Sequence, residues 1–179
     1  MRVFVAVEIS SNNVIEKISK LQSNISIKAK PVSVRNLHFT LQFLGEVQES
    51  MIDKIKKRLG EIKFSKFSLT FQNVGAFPKP RFPRVVWIGT DDYGGAKLIE
   101  LARKVENVLS PLGFKNDKPF KPHMTIFRVK NKIGDISKEL SKFDGQNFGN
   151  QTVNSLKLKQ STLTPEGPIY SDLEVINLE

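Results

Sequence analysis

The chain has no cysteine among its 179 residues. That excludes disulfide scaffolding, thiol nucleophiles and thiolate metal sites. Histidine is almost absent as well, with two in all, so any chemistry that needs an imidazole must use His38 or His123. Long apolar runs are missing. No stretch approaches the ~18 apolar residues that a membrane span requires. The run Val3–Val7 is too short for a signal-peptide core and meets Glu8 at once. A cytoplasmic protein that makes no membrane contact is therefore expected. No G-x-S-x-G elbow is present to support a Ser-His-Asp triad.

Acidic side chains are the scarcer sign of charge: 18 Asp and Glu against 28 Lys and Arg, a formal net charge of +10. The excess favours a polyanionic partner, nucleic acid ahead of an anionic membrane surface, although a basic protein can also simply carry a well-solvated surface. With 39% hydrophobic and 26% charged residues, the composition is that of a globular chain, within the size of one domain.

Periodicity supplies the elements. The run Val3–Val7 reads as a buried strand. Val14, Ile15, Ile18, Leu21 and Ile25 recur at helical spacing, as do Met51, Ile52, Ile55 and Leu59, and later Leu98, Leu101, Ala102, Val105, Val108 and Leu109. HFTLQFL and HMTIFRV read as strands. FSKFSLTFQNVGAF and RVVWIG read as two more, separated by a loop Pro78–Pro83 whose prolines oppose regular pairing. A short helix near 136–140 and two terminal strands, joined by a turn at Thr164–Pro168, complete the chain. The order strand, helix, His-bearing strand, helix occurs twice: Val3 precedes His38 by 35 residues and Val85 precedes His123 by 38. The expectation is one α+β domain over 1–179, an internal repeat of about 1–84 and 85–179, and two antiparallel, helix-flanked lobes about a pseudo-twofold axis with a cleft between them.

Both histidines stand two residues before a threonine, although Thr occurs only 7 times. Alternation along a strand points His38 and Thr40 one way and Phe39, Leu41 and Phe43 the other, and it treats His123 and Thr125 likewise. A His beside a Thr can be a hydrogen-bonded structural residue. Two such pairs at equivalent places in a repeat can instead face one cleft, where one neutral and one protonated imidazole suit acid–base chemistry at phosphorus. A metal site is disfavoured, because two His without Cys would need carboxylates, and only Glu46, after Gly45, lies close in sequence to either histidine strand. Around these motifs, Lys79, Arg81 and Arg84 interleave with Phe77 and Phe82, and Lys115, Lys118 and Lys121 surround Phe120. Such interleaving suits a single-stranded RNA end, with Phe77 as a base-stacking candidate, or else a solvated loop over core rings. Trp87 reads as core.

NLHFTLQFLGE, GAFPKPRFPRVVWIG, FKPHMTIFRV and LTPEGPIY resemble, in order, the landmarks of the RNA 2′,3′-cyclic phosphodiesterase family, long labelled 2′-5′ RNA ligase, within the 2H phosphoesterase superfamily. Its two H-x-T-x motifs match His38-Phe39-Thr40-Leu41 and His123-Met124-Thr125-Ile126. The resemblance implies metal-independent opening of a terminal 2′,3′-cyclic phosphate to a 2′-phosphate, with no cofactor. It assigns His38 as proton donor and His123 as proton acceptor. Thr40 and Thr125 would hold the phosphate, and Arg128 would contact it. Gln42 departs from the pattern, standing where relatives often have Lys. Regular strand parity puts Phe127, not Arg128, on the His123 face, so both are candidate substrate contacts and Arg128 needs a bulge to reach the site. The expected partner is RNA with a cyclic end, tRNA fragments being one source, and the expected state is a monomer. The alternatives are a phosphodiesterase or ligase of 2′-5′ linkages, an enzyme of small cyclic nucleotides, and a basic RNA-binding module without catalysis.

Overall fold

The computed structural model describes residues 1–179. The elements are β1 (Arg2–Glu8), α1 (Asn12–Asn24), β2 (Lys30–Pro31), β3 (His38–Glu46), α2 (Glu49–Leu59), β4 (Phe67–Lys79), β5 (Phe82–Thr90), α3 (Asp92–Leu109), β6 (Met124–Arg128), α4 (Ser137–Ser141), β7 (Asn147–Val153), β8 (Ser155–Thr164) and β9 (Gly167–Asn177). Local chemistry sets the helix starts. Ser11 caps α1 by accepting from the Val14 amide. Asp91 caps α3 by accepting from the Gly94 amide, and its other oxygen accepts from the Thr70 amide at 2.9 Å, which ties the helix start to β4. The buried stripes Val14, Ile18, Leu21 and Ile52, Ile55, Leu59 are those that the periodicity predicts.

All strands pair antiparallel, in two sheets of order β3-β1-β8-β9 and β2-β6-β5-β4-β7. The sheets match one another strand for strand: β3 with β6, β1 with β5, β8 with β4 and β9 with β7. The two lobes are therefore not two contiguous halves of the chain. β1 and the His-bearing β3 share one sheet while β4 joins the other. β5 and the His-bearing β6 share that other sheet with β7, while β8 and β9 cross back to join β1 and β3. The boundary expected at 84/85 falls inside β5. One apolar cluster, including Val5, Phe39, Phe71, Ile88, Leu101 and Leu158, draws on both sheets and the helices. No helix is long and apolar enough to cross a membrane.

Three local expectations need correction. The Pro78–Pro83 segment is not a loop: β4 and β5 pair as far as Lys79 and Phe82, with Pro78 opposite Pro83, so that the two missing donors fall in one pair. The end of the chain holds three strands. β7, NFGNQTV, carries Gly149 at φ +104 and lacks the β-branched density that marks a strand. Finally, β3 breaks parity. Its pairing with β1 skips Leu41 and Leu44, two bulges that each turn the following residues over. Phe43 is therefore 59% exposed and stacked on Phe4, while Gln42 is turned into the interior.

Candidate active site

The strands that carry the histidines, β3 and β6, lie toward the facing edges of the two sheets, and one cleft of about 840 Å³ opens between them. His38, Thr40, His123 and Thr125 all line it. Each imidazole is fixed in the same way. His38 Nδ1 donates to the Asn36 carbonyl at 2.7 Å and His123 Nδ1 to the Lys121 carbonyl at 2.6 Å, in both cases two residues back in the chain. Each ring also leans on an aromatic neighbour: Phe4 at 5.0 Å from His38, and Phe77 edge-on at 4.9 Å from His123. In the neutral rings this leaves both Nε2 lone pairs free of backbone. His38 Nε2 meets the Thr40 hydroxyl at 2.9 Å.

The environment disfavours charge on the two rings. Burial pushes His38 down to about 4; the Asn36 carbonyl opposes this, and Lys159 and Arg128 add to it. His123 is lowered from its ordinary value as well, by burial first, against the Lys121 carbonyl and with help from Arg128 and Lys121. Beneath His38, in the cross-strand position on β1, sits Glu8. It ion-pairs with Lys159 and Lys157, and both lysines also reach Asp172, so four charges on three strands close a neutral network under the ring.

Arg128 enters the cleft by the route that parity alone forbids. In the β5–β6 ladder, Val86 pairs with Phe127 and Trp87 with Thr125, leaving Ile126 without a counterpart. That bulge turns the strand over. Arg128 lines the cleft and Phe127 is 3% exposed in the core. The expectation that Phe127 meets substrate is thus corrected by one inserted residue. Phe77 also changes role: it does not line the cleft but supports the His123 ring and packs 5.3 Å from Trp87. Trp87 is only half-buried and lies over Gly75, where a Cβ would come within 2.2 Å of the indole.

Of the six flanking cations singled out in the sequence, only Arg84 lines the cleft. Lys79 and Arg81 gather over the exposed Phe82 ring at the β4–β5 tip. The cleft instead draws on Lys30 in the two-residue β2, Arg35 in the turn before β3 and Lys130 just past β6, positions whose spacing gives no signal. Tyr170, within the LTPEGPIY stretch, closes one wall and packs edge-on 5.4 Å from His38. The Asn36 amide and the Lys30 ammonium hold this β8–β9 tip by the carbonyls of Pro168 and Glu166.

The arrangement recurs in known proteins. A protein of Archaeoglobus fulgidus named RNA 2′,3′-cyclic phosphodiesterase is 45% identical over 177 residues, 98% of this chain and 99% of its own. One of the same name from Methanocaldococcus jannaschii is 37% identical over 174 residues, 95% and 96% of the two chains. The crystal structure of Escherichia coli LigT in apo form superposes with a TM-score of 0.79 at 26% identity, covering 99% of this chain and 96% of that one. The family model for LigT like phosphoesterases matches twice, over residues 7–87 and 88–170, once for each histidine motif. This chain belongs to the LigT-like phosphoesterase family.

Proposed function

We propose that the protein hydrolyses terminal 2′,3′-cyclic phosphodiesters of RNA to 2′-phosphomonoesters, with His38 as general acid and His123 as general base. The observation that carries this reading is the matched pair of imidazoles. Each is held at Nδ1 by a carbonyl two residues back, and each presents Nε2 to one cleft. The names of the full-length relatives support the substrate.

Water attacks phosphorus as the bond to the 3′-oxygen breaks. The proton from water passes to His123 Nε2, and the proton on His38 Nε2 passes to the departing 3′-oxygen. Exchange with solvent then restores both rings. Thr40 and Thr125 donate to the non-bridging oxygens, and Arg128 meets the charge that grows on them. Phe77 acts through His123 as a positioning residue. The same proposal takes the protein to act as a cytoplasmic monomer, tRNA fragments being among the ends it meets; sedimentation tests the monomer.

The division of labour is open to a direct test. His38→Ala and His123→Ala should each lower the rate by at least ~10²-fold, and the double variant by far less than the product. Replacing the bridging 3′-oxygen with sulfur makes a leaving group (thiol pKa about 8.5) that needs no proton. On that substrate His38→Ala should recover most of its rate while His123→Ala stays slow. Recovery in His123→Ala alone would reverse the roles.

A further inference from the structure

The cleft carries more positive charge than one cyclic phosphate can use. Five cations line it, Lys30, Arg35, Arg84, Arg128 and Lys130, against the single carboxylate of Glu166. None of the five forms an ion pair with a carboxylate. A cyclic phosphodiester bears one negative charge, and Arg128 is placed to meet it. Two features extend the cationic surface away from the histidines. The β2–β6 ladder sets Lys30 directly opposite Arg128, an arrangement that is unfavourable for like charges unless an anion lies between them. Lys130 follows Arg128 by two residues, about 7 Å along an extended chain, which is the scale of one nucleotide step. Arg35, on the turn before β3, lines the same cleft.

We propose that Lys30, Arg35 and Lys130 form a subsite for the phosphodiesters upstream of the cyclic end, which makes a single-stranded oligonucleotide the substrate and a cyclic mononucleotide a poor one. The inference rests on the reading of the chain as a cyclic-end phosphodiesterase. The upstream strand leaves the histidine pair past Arg128 and follows the β2 edge. Each phosphate bound there releases counterions, so affinity grows with length and falls with salt.

The experiment compares kcat/KM for a 2′,3′-cyclic mononucleotide with that for a tetranucleotide bearing the same cyclic end, at low and moderate salt. The tetranucleotide should be favoured by about tenfold or more, mainly through KM, and the advantage should shrink as salt rises. In the Arg35→Ala/Lys130→Ala double variant that ratio should collapse toward one, whereas Arg35→Lys/Lys130→Arg should keep it. Equal kcat/KM for the two lengths, or an advantage that survives the double Ala variant, would overturn the subsite. Binding of 2′-phosphate-ended oligonucleotides of one to four residues gives the second arm, because it needs no turnover. Affinity that rises with length through Arg35 and Lys130 supports the subsite even if hydrolysis fails, and affinity independent of length overturns it.

Discussion

Near neutral pH both imidazoles in the empty cleft are uncharged, because burial is the largest influence on each and the nearby cations act in the same direction. The acid of the reaction must nevertheless begin protonated, so the free protein holds little of its active form. The alkaline limb of kcat/KM should then lie below pH 6.5, the ordinary value for histidine. An anionic phosphate between the rings favours their charged forms, so the alkaline limb of kcat should lie at higher pH than that of kcat/KM. Coincident limbs at or above 6.5 would contradict the burial argument. Stability carries the same signature. Above pH 6.5 His38 is neutral whether folded or unfolded and costs nothing. As pH falls from 6.5 toward 4, the unfolded chain takes up a proton that the folded chain refuses, and up to about 3 kcal/mol of stability is lost. Glu8 and Asp172, both held low by Lys159 and Lys157 against burial, lose their contribution only at lower pH. Chemical denaturation of the wild type and His38→Gln should therefore diverge between pH 6.5 and 4, the variant giving the flatter curve.

At the scale of the element, bulges decide which side chains matter. Parity reading places His38, Thr40, His123 and Thr125 correctly because they precede the bulges at Leu41 and Ile126. Beyond those points it inverts: Phe43 and Arg128 come out, and Gln42 and Phe127 go in. A bulge depends on how two strands pair, and nothing within one strand announces it. The consequence is a clean separation of effects. Arg128→Ala should lower kcat/KM by about 10²-fold with little change in stability. Phe127→Ala should cost about 3–5 kcal/mol of stability through the cavity it leaves. A loss of rate without a loss of stability in Phe127→Ala would restore that residue to the cleft. Gln42 is 2% exposed, and neither its amide oxygen nor its nitrogen has a partner. Replacing it with Met, of similar length and without the unpaired polar atoms, should raise the unfolding free energy by about 1–3 kcal/mol. A destabilised Gln42→Met would show that the amide has an unrecognised partner.

Across the whole molecule, the repeat visible in the sequence proves truer of motif order than of spatial division. The spacing of Val3 to His38 and of Val85 to His123 reveals two equivalent units. It cannot reveal that β4 and β8 exchange places, because strand pairing across the chain is a property of the closed sheets. That exchange binds the lobes into one body and holds the two histidine strands at facing positions across the cleft. The basic character read from composition is real, but the cations that line the cleft are Lys30, Arg35, Arg84, Arg128 and Lys130. The sequence singles out Arg84 and Arg128, whereas nothing in the spacing of the histidine motifs marks Lys30, Arg35 or Lys130. The central claim is that the two imidazoles of this cleft convert a cyclic end to a 2′-phosphate without a metal. Its most direct test is to incubate the purified protein with an RNA ending in a 2′,3′-cyclic phosphate, in excess EDTA, and to identify the product end. A 2′-phosphomonoester formed by the wild type, and slowed at least ~10²-fold in His38→Ala and in His123→Ala, is the expected result. No turnover until a divalent metal is added back, or a 3′-phosphate as the product, would contradict it.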